Sequence, residues 1–306
     1  TYCTLIGGGT KTPTFSVKYE EQVDYAGGAA IVAKHLKRAG ARVRFSTVLG
    51  GDALHEFVLN DLKEAGVECQ AIIDRTRPTT QKNKIISDGH RMLQIDRLDN
   101  RSISGRALER IIEQIRSDSA EVLVCSDFRH GIFSKQTIPE LIDSIPADVF
   151  KVADSQVASR WGNILEFQNF DLITPNEREA RFALGDQDSV VRPLALELYK
   201  RSGCRNLILK LGERGIITYR SSKADDYRAF FTIDSFADRV VDAVGAGDAL
   251  LSYSTLALKA TGSEVIASIL GTMAAGIACE TDGNEPVSPD TVLRKLGVID
   301  KQIAYA

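Results

Sequence analysis

For most of its length the chain alternates short apolar runs with stretches of helical spacing. Residues 41–50 (ARVRFSTVLG) read as a strand, after which Asp52 is placed to cap a helix running to Ala65. Residues 121–127 (EVLVCSD) read as a buried strand, followed by a helix near 135–143. DVFKVAD (148–154) and FDLITPN (170–176) repeat the theme, and NLILKLGERGIITYR (206–220) reads as a strand, a glycine-containing turn and a second strand. This β-then-α order predicts a mostly parallel sheet covered by helices on both faces. Ligands of such sheets collect at the carboxyl ends of the strands, where Asp127, Asp154 and Asn176 fall.

Two stretches break the rhythm. TFSVKYEEQVDY (14–25) alternates apolar and polar side chains at period two, and residues 69–99 supply three more short strands with no helix between them. Together they predict a small antiparallel sheet, apolar on one face only, that is either a surface hairpin or a lid over a site and a dimer contact. The apolar run VIASILGTMAAGIAC (265–279) is shorter than a membrane span and carries Ser268 and Thr272, so it reads as a core helix.

Composition narrows the partners. The chain has 306 residues, 43% of them hydrophobic, enough for one large core or two small ones. Lys and Arg number 38 against 41 Asp and Glu, a net charge of −3 with no basic block. Nucleic acid and anionic membranes are therefore poor partners, and small molecules or another protein are expected. The five cysteines are scattered, odd in number and never in a CxxC spacing. That pattern argues against a disulfide framework or a zinc site and for a reducing, cytoplasmic setting. No secretory leader and no internal repeat is visible.

Several short matches fail on chemistry. GGGTKT at Gly7 lacks the glycine directly before the lysine that a phosphate-cradling Walker loop needs, and HEFVL at His55 has no second histidine for zinc. Asn100-Arg101-Ser102 fits a glycosylation triplet, but nothing else points to secretion. His35, His55, His90 and His130 have no ligand spacing, so surface or hydrogen-bonded histidines are expected.

DAVGAGD (242–248), directly before the apolar run ALLSYSTLAL, bears more weight. A helix starting near Gly245 leaves the N–H groups of Ala246, Gly247 and Asp248 without intrahelical partners. Glycines let an anion approach that backbone, and the helix dipole favours negative charge there. Such a turn can hold a phosphoryl group while charge builds on its oxygens. A carboxylate at an anion nest makes sense if Asp248 takes the proton of an attacking hydroxyl. The alternative is a plain turn glycine followed by a first-turn helix acid.

These residues resemble the DxxGAGD signature of the ribokinase-like carbohydrate kinases. The resemblance implies that Asp248 is the catalytic base, that Gly245, Ala246 and Gly247 form the anion hole, and that Asp242 is the first aspartate of the motif. Other stretches agree in order. YAGGAAIVAKHLKRAGARV (25–43) is similar to the amino-terminal signature, where Gly27 and Gly28 line the sugar pocket. VLGGDALHEFVLNDLKEAGV (48–67) places Asp52 in the next polar slot. In TPNEREA (174–180), Asn176 and Glu179 would organise magnesium and the phosphates through water. LKLGERG (209–215) resembles the strand and turn that meet the nucleotide, with Lys210, Gly212 and Gly215. MAAGIACETDGNEP (273–286) is similar to the segment beside the adenine, with Ala275 and Gly276.

Within that family, RPTTQKNKIISDGHRMLQID (77–96) is similar to the lid strands of heptose 7-phosphate kinases, and SDFRHGIFS (126–134) resembles their Ser-Asp-Tyr stretch around Asp127. A cationic lid suits a phosphorylated sugar, which makes Arg77, Lys82, Lys84 and Arg97 candidates to meet a phosphate. Departures exist. Ile31 stands where an asparagine usually binds sugar, Gln94 and Gln156 stand for basic residues, and the family's first buried strand has no counterpart before Gly27.

The expectation is therefore one ribokinase-like domain over 1–306, a three-layer α/β/α sandwich with lid segments at about 13–26 and 68–99. It would be the kinase part of a longer kinase/nucleotidyltransferase. The cofactors implied are ATP and Mg2+, the acceptor is a sugar or sugar phosphate, and a homodimer would form through the lid. Two alternatives stay open: a weak or inactive nucleotide- or sugar-binding module, and a nucleoside kinase.

Overall fold

A computed structural model describes residues 1–8, 15–156, 162–221 and 229–304. The first half contains β1 (Tyr2–Gly8), β2 (Phe15–Glu21), α1 (Ala29–Arg38), β3 (Arg44–Gly50), α2 (Ala53–Glu64), β4 (Glu68–Asp74), β5 (Gln81–Ser87), β6 (His90–Arg97) and α3 (Gly105–Ser117). Next come β7 (Val122–Asp127), α4 (Thr137–Asp143), β8 (Phe150–Ser155), β9 (Leu172–Ile173), α5 (Glu177–Leu184), α6 (Val191–Ser202) and β10 (Asn206–Lys210). The chain continues with β11 (Ile216–Tyr219), β12 (Phe230–Ile233), α7 (Ala246–Thr261), α8 (Glu264–Cys279) and α9 (Pro289–Ala304).

Six strands form the main sheet in the order β12-β11-β10-β9-β8-β7, parallel from β7 to β10 and antiparallel beyond. Its buried strands point alternate residues to opposite layers. Leu207, Leu209, Ala153, Ile173 and Ile217 pack with Ala180 of α5 and Leu194 and Leu198 of α6. Ile208, Val152, Leu172 and Ile216 pack with Leu250 and Leu251 of α7 and Ala267 of α8. That is the three-layer sandwich the sequence predicts, and the apolar run at 265–279 is its core helix α8.

The parallel strands do not all join one sheet. β3 and β4 pair with each other, and among the described residues neither β3 nor β7 has a further strand at its open edge. Helix α1 packs on both β3 and β7 and spans the interval.

The lid is a four-stranded sheet, β2-β1-β5-β6. It differs from expectation at two places. Glu68–Asp74, expected in the lid, runs parallel to β3 over all seven residues, while residues 2–8 supply a lid strand that pairs with β2 and, briefly, with β5. Amphipathic alternation marks a strand but does not name its partner. The start of the first lid segment (13–14) and the end of GGGTKT lie outside the described residues.

Candidate active site

Strand alternation aims two charges at the amino end of α7. Val152 and Ile208 face the α7–α8 layer, so Asp154 and Lys210, each two residues on, project to the same side. Lys210 Nζ lies 3.1 Å from both carboxylate oxygens of Asp154. A Cβ built on Gly247 would sit 3.3 Å from that Nζ, which puts the ammonium against the first turn of α7.

That turn is open to an anion. Gly245 is the N-cap with φ of 85°, a left-handed conformation that favours glycine. The first helical bond runs from Ala249 N–H to the Gly245 carbonyl. Upstream of it, the Gly247 and Asp248 amides have no acceptor among the described residues, while the Ala246 N–H reaches the Ala243 carbonyl only at 3.4 Å. The expected hole thus has two open amides and a third loosely tied. Asp242 shapes its approach by accepting the Val244 N–H at 2.9 Å.

Asp248 is buried. Burial first, then the nearby Asp154 and Glu179 carboxylates, push its carboxyl up to about 7 against the pull of Lys210. Burial alone would lower Lys210, but Asp154, Glu179 and Asp248 together hold it above its ordinary value. A base poised near neutrality beside unfilled amides is the arrangement a hydroxyl-activating site needs.

Asn176 caps α5 in a reciprocal box: its Oδ1 accepts the Glu179 N–H at 2.9 Å, and Glu179 Oε2 accepts the Asn176 N–H at 2.7 Å. The Lys210 N–H donates to the Pro175 carbonyl, so the Asn176 turn and the end of β10 move as one piece. Among the described residues no three His, Cys, Asp or Glu side chains stand close enough to grip a metal directly. The oxygen-only donors of Asn176 and Glu179, with Asp154 and Asp248 nearby, fit a hard cation that keeps most of its waters, as magnesium does.

The nucleotide-side glycines have steric reasons. Gly215 has φ of 78°, and a Cβ there would fall 2.0 Å from the Ile233 carbonyl oxygen. Gly212 also has positive φ, in open space. Gly276 of α8 lies against the backbone of Phe236 and Ala237, and its neighbour Ala275 is half-buried.

On the acceptor side, Gly28 opens α1 with φ of 58°, and a Cβ on it would touch the Phe128 ring. Gly27 and Gly245 flank one side chain: a Cβ on the first would lie 3.3 Å from Asn284 Nδ2, and on the second 2.8 Å from Asn284 Oδ1. The amino ends of α1 and α7 therefore meet around Asn284, a residue the sequence reading did not single out.

Two expected substrate groups are tied up by the fold, and a third is tied up in part. Asp127 is buried and accepts from Arg129 N, Arg129 Nε and the Ser155 hydroxyl. Arg77 gives its Nε to Asp74 and its terminal nitrogens to the carbonyls of Arg101, Ser102 and His130. Asp52 sits at the N-cap of α2 without capping it and takes the Thr79 N–H at 3.0 Å instead. Asp127 and Arg77 tie loops around the pocket through these bonds, whereas Asp52 keeps its second carboxylate oxygen, Oδ1, buried without a partner. Lys82 differs, being itself exposed and pairing with Asp96 at 3.0 Å. Ile31 is fully buried in α1. His35 is a satisfied core histidine, held neutral mainly by burial and accepting the Val287 N–H.

Sequence reasoning also missed Arg91, which reaches from β6 to pair with Asp242. Lys84 and Arg91 lie on the lid face turned toward DAVGAGD, and both feel the Asp242 charge. A separate 290 Å³ depression lined by Lys151, Asp171, Arg205 and Lys259 lies at the opposite ends of the strands.

The fold is the ribokinase-like one, and the family match makes the chain a sugar phosphotransferase. The model of the pfkB family carbohydrate kinases matches residues 12–291, and the chain belongs to that family. It is 28% identical to bifunctional protein HldE of Desulfatibacillum aliphaticivorans over 304 residues, 96% of this chain and 60% of that protein. Against HldE of Pelobacter propionicus it is 28% identical over 280 residues, 89% of this chain and 55% of the other. The chain thus spans less than two thirds of these relatives. Among solved structures, phosphofructokinase-2 of Escherichia coli superposes with a TM-score of 0.77 at 18% identity, covering 98% of this chain and 94% of the other. Ribokinase of Thermotoga maritima gives 0.75 at 20% identity, covering 97% and 96%. These likenesses show the fold. No helix among the described residues is long and apolar enough to cross a membrane.

Proposed function

We propose that this domain transfers the γ-phosphoryl group of ATP to a hydroxyl of a phosphorylated sugar, a heptose 7-phosphate at its anomeric position. The observation that carries the reading is Asp248, a buried carboxyl raised to about 7 in the first turn of a helix whose Gly247 and Asp248 amides are unfilled. Asp248 takes the proton of the acceptor hydroxyl, the hydroxyl oxygen forms the new bond to phosphorus, and the bond from phosphorus to the bridging oxygen breaks to leave ADP. The amides of the α7 turn hold the charge that builds on the phosphoryl oxygens. Asn176 and Glu179 would hold a magnesium ion through its waters, and the bound ion would neutralise charge at the phosphates.

The heptose assignment rests on the resemblance of the lid strands to those of heptose 7-phosphate kinases and on relatives named HldE. It is supported by the lid's inner face, where Lys84 and Arg91 lie near Asp242 of the site. The outer face carries exposed Phe15, Val17, Tyr19, Leu93 and Ile95, a patch that suits a second copy of this chain. Leu93→Glu should convert such a dimer to monomer in analytical ultracentrifugation; an unchanged mass would remove the lid from the interface.

The test of substrate class is ADP release from Mg–ATP with sugars, sugar phosphates and nucleosides as acceptors. Stimulation by a phosphorylated sugar, and by neither its unphosphorylated form nor a nucleoside, is the expected result. Stimulation by a nucleoside alone would overturn the sugar assignment.

A further inference from the structure

The pair formed by Lys210 and Asp154 has no structural necessity. Its two side chains are 15% and 3% exposed, and burying two charges costs about as much as their attraction returns. Both sheet layers on either side of it are already closed by apolar residues. A pair in that position needs another reason, and its surroundings supply one.

Three observations meet there. The ammonium group lies beside Gly247, whose amide is one of the two unfilled donors. Asp154 meets Lys210 with both carboxylate oxygens, so it fixes where the ammonium sits. Thr174 follows β9, the strand between β8 and β10, and its buried hydroxyl has no hydrogen-bond partner. Leu172 faces the α7 layer, so Thr174, two residues on, turns its hydroxyl to the same side as Lys210 and Asp154. The amides and the hydroxyl there have no partner among the described residues. The charges that act on this end of the sheet are otherwise negative: Asp154, Glu179 and Asp248. An entering anion needs a cation there, and Lys210 stands in that place.

We propose that Lys210 is the cation that contacts the transferring phosphoryl group, and that Asp154 is the positioning residue that holds it under Gly247. This rests on the kinase reading above and assigns a specific phosphate to Lys210, which the sequence resemblance implies only to meet the nucleotide. Lys210 adds a donor and a full charge to the open amides, and its pull on Asp248 keeps the base from rising further.

The test compares equilibrium binding of ADP and of the non-hydrolysable ATP analogue adenylyl imidodiphosphate, with excess magnesium, by calorimetry. Wild type should prefer the triphosphate analogue. Lys210→Met should weaken the analogue by about tenfold or more while ADP changes less than about twofold, and Lys210→Arg should recover part of the loss. Asp154→Asn should lower kcat more than it raises the KM for ATP, since the lysine remains but is no longer held. If that variant fails to fold, the double variant Asp154→Asn/Lys210→Met removes both charges and should behave as Lys210→Met does. Equal weakening of both nucleotides, or none of either, in a folded Lys210→Met protein would overturn the proposal. The two readings separate cleanly. Loss of the triphosphate preference in a protein that no acceptor stimulates would sink the kinase assignment and keep the Lys210 contact. Robust turnover with the preference intact in Lys210→Met would do the reverse.

Discussion

The amino end of α7 and the lid both carry charge toward the same space, yet they are built in opposite ways. Around α7, Asp154, Glu179 and Asp248 are buried, Asp154 and Lys210 hold each other, and Glu179 is held by the cap of α5. On the lid, β2 and β6 are exposed along their whole lengths, and Arg91 meets Asp242 from a side chain 49% exposed. The difference teaches that the two proposed roles, chemistry and recognition, fall on surroundings of opposite kind. The groups proposed to react sit where burial raises Asp248, while the cations proposed to meet the acceptor belong to a sheet with two strands exposed along their whole lengths.

Glycine substitutions sharpen the contrast most. Gly215→Ala should destabilise the protein by roughly 2 kcal/mol or more, because positive φ and the Ile233 carbonyl both refuse a Cβ. Gly89, in the lid hairpin, also has positive φ but open space around it, so Gly89→Ala should cost only about 1 kcal/mol. Thermal unfolding of the two variants checks the ranking, and equal losses would break the comparison.

The pH dependence comes next. Asp248 is raised from the ordinary aspartate range to about 7 in the folded protein, so the native state holds one proton more than the unfolded chain between those values. From this group, stability should fall as pH rises through that window. Turnover with saturating acceptor should move the other way, by about tenfold per pH unit below 7, because the base works ionised. A rate flat from pH 5.5 to 8 would contradict the assignment of the base. The smallest effect belongs to the lid: Arg91→Ala should change stability by less than about 1 kcal/mol, since the pair is largely solvated. It should still raise the KM for a phosphorylated acceptor severalfold, and an unchanged KM would detach Arg91 from acceptor binding.

Much of the centre was legible in the sequence because local pattern determines it. A glycine-rich turn before an apolar helix gives unpaired amides wherever the chain goes, and the Asn176–Glu179 spacing is itself a cap. Asp154 could have been chosen with them, since it ends a buried strand in step with Val152. Asp127 and Arg77 misled for the opposite reason. Their types and places suit a ligand, but their partners Arg129, Ser155 and the carbonyls of Arg101 and Ser102 become neighbours only through the fold. Strand Glu68–Asp74 was assigned to the lid because its alternation cannot say whether β3 or β5 lies alongside. Asn284 was not singled out because it is placed by the meeting of two helix starts, at Gly28 and Gly245, that lie more than two hundred residues apart in sequence.

The account turns on Asp248. The most direct measurement is kcat for Asp248→Asn beside wild type, with the acceptor that stimulates ADP release and with ATP binding measured in parallel. A fall of about 10² or more with ATP affinity preserved is expected for loss of the base. Turnover within a fewfold of wild type would show that the proton leaves the acceptor by another route.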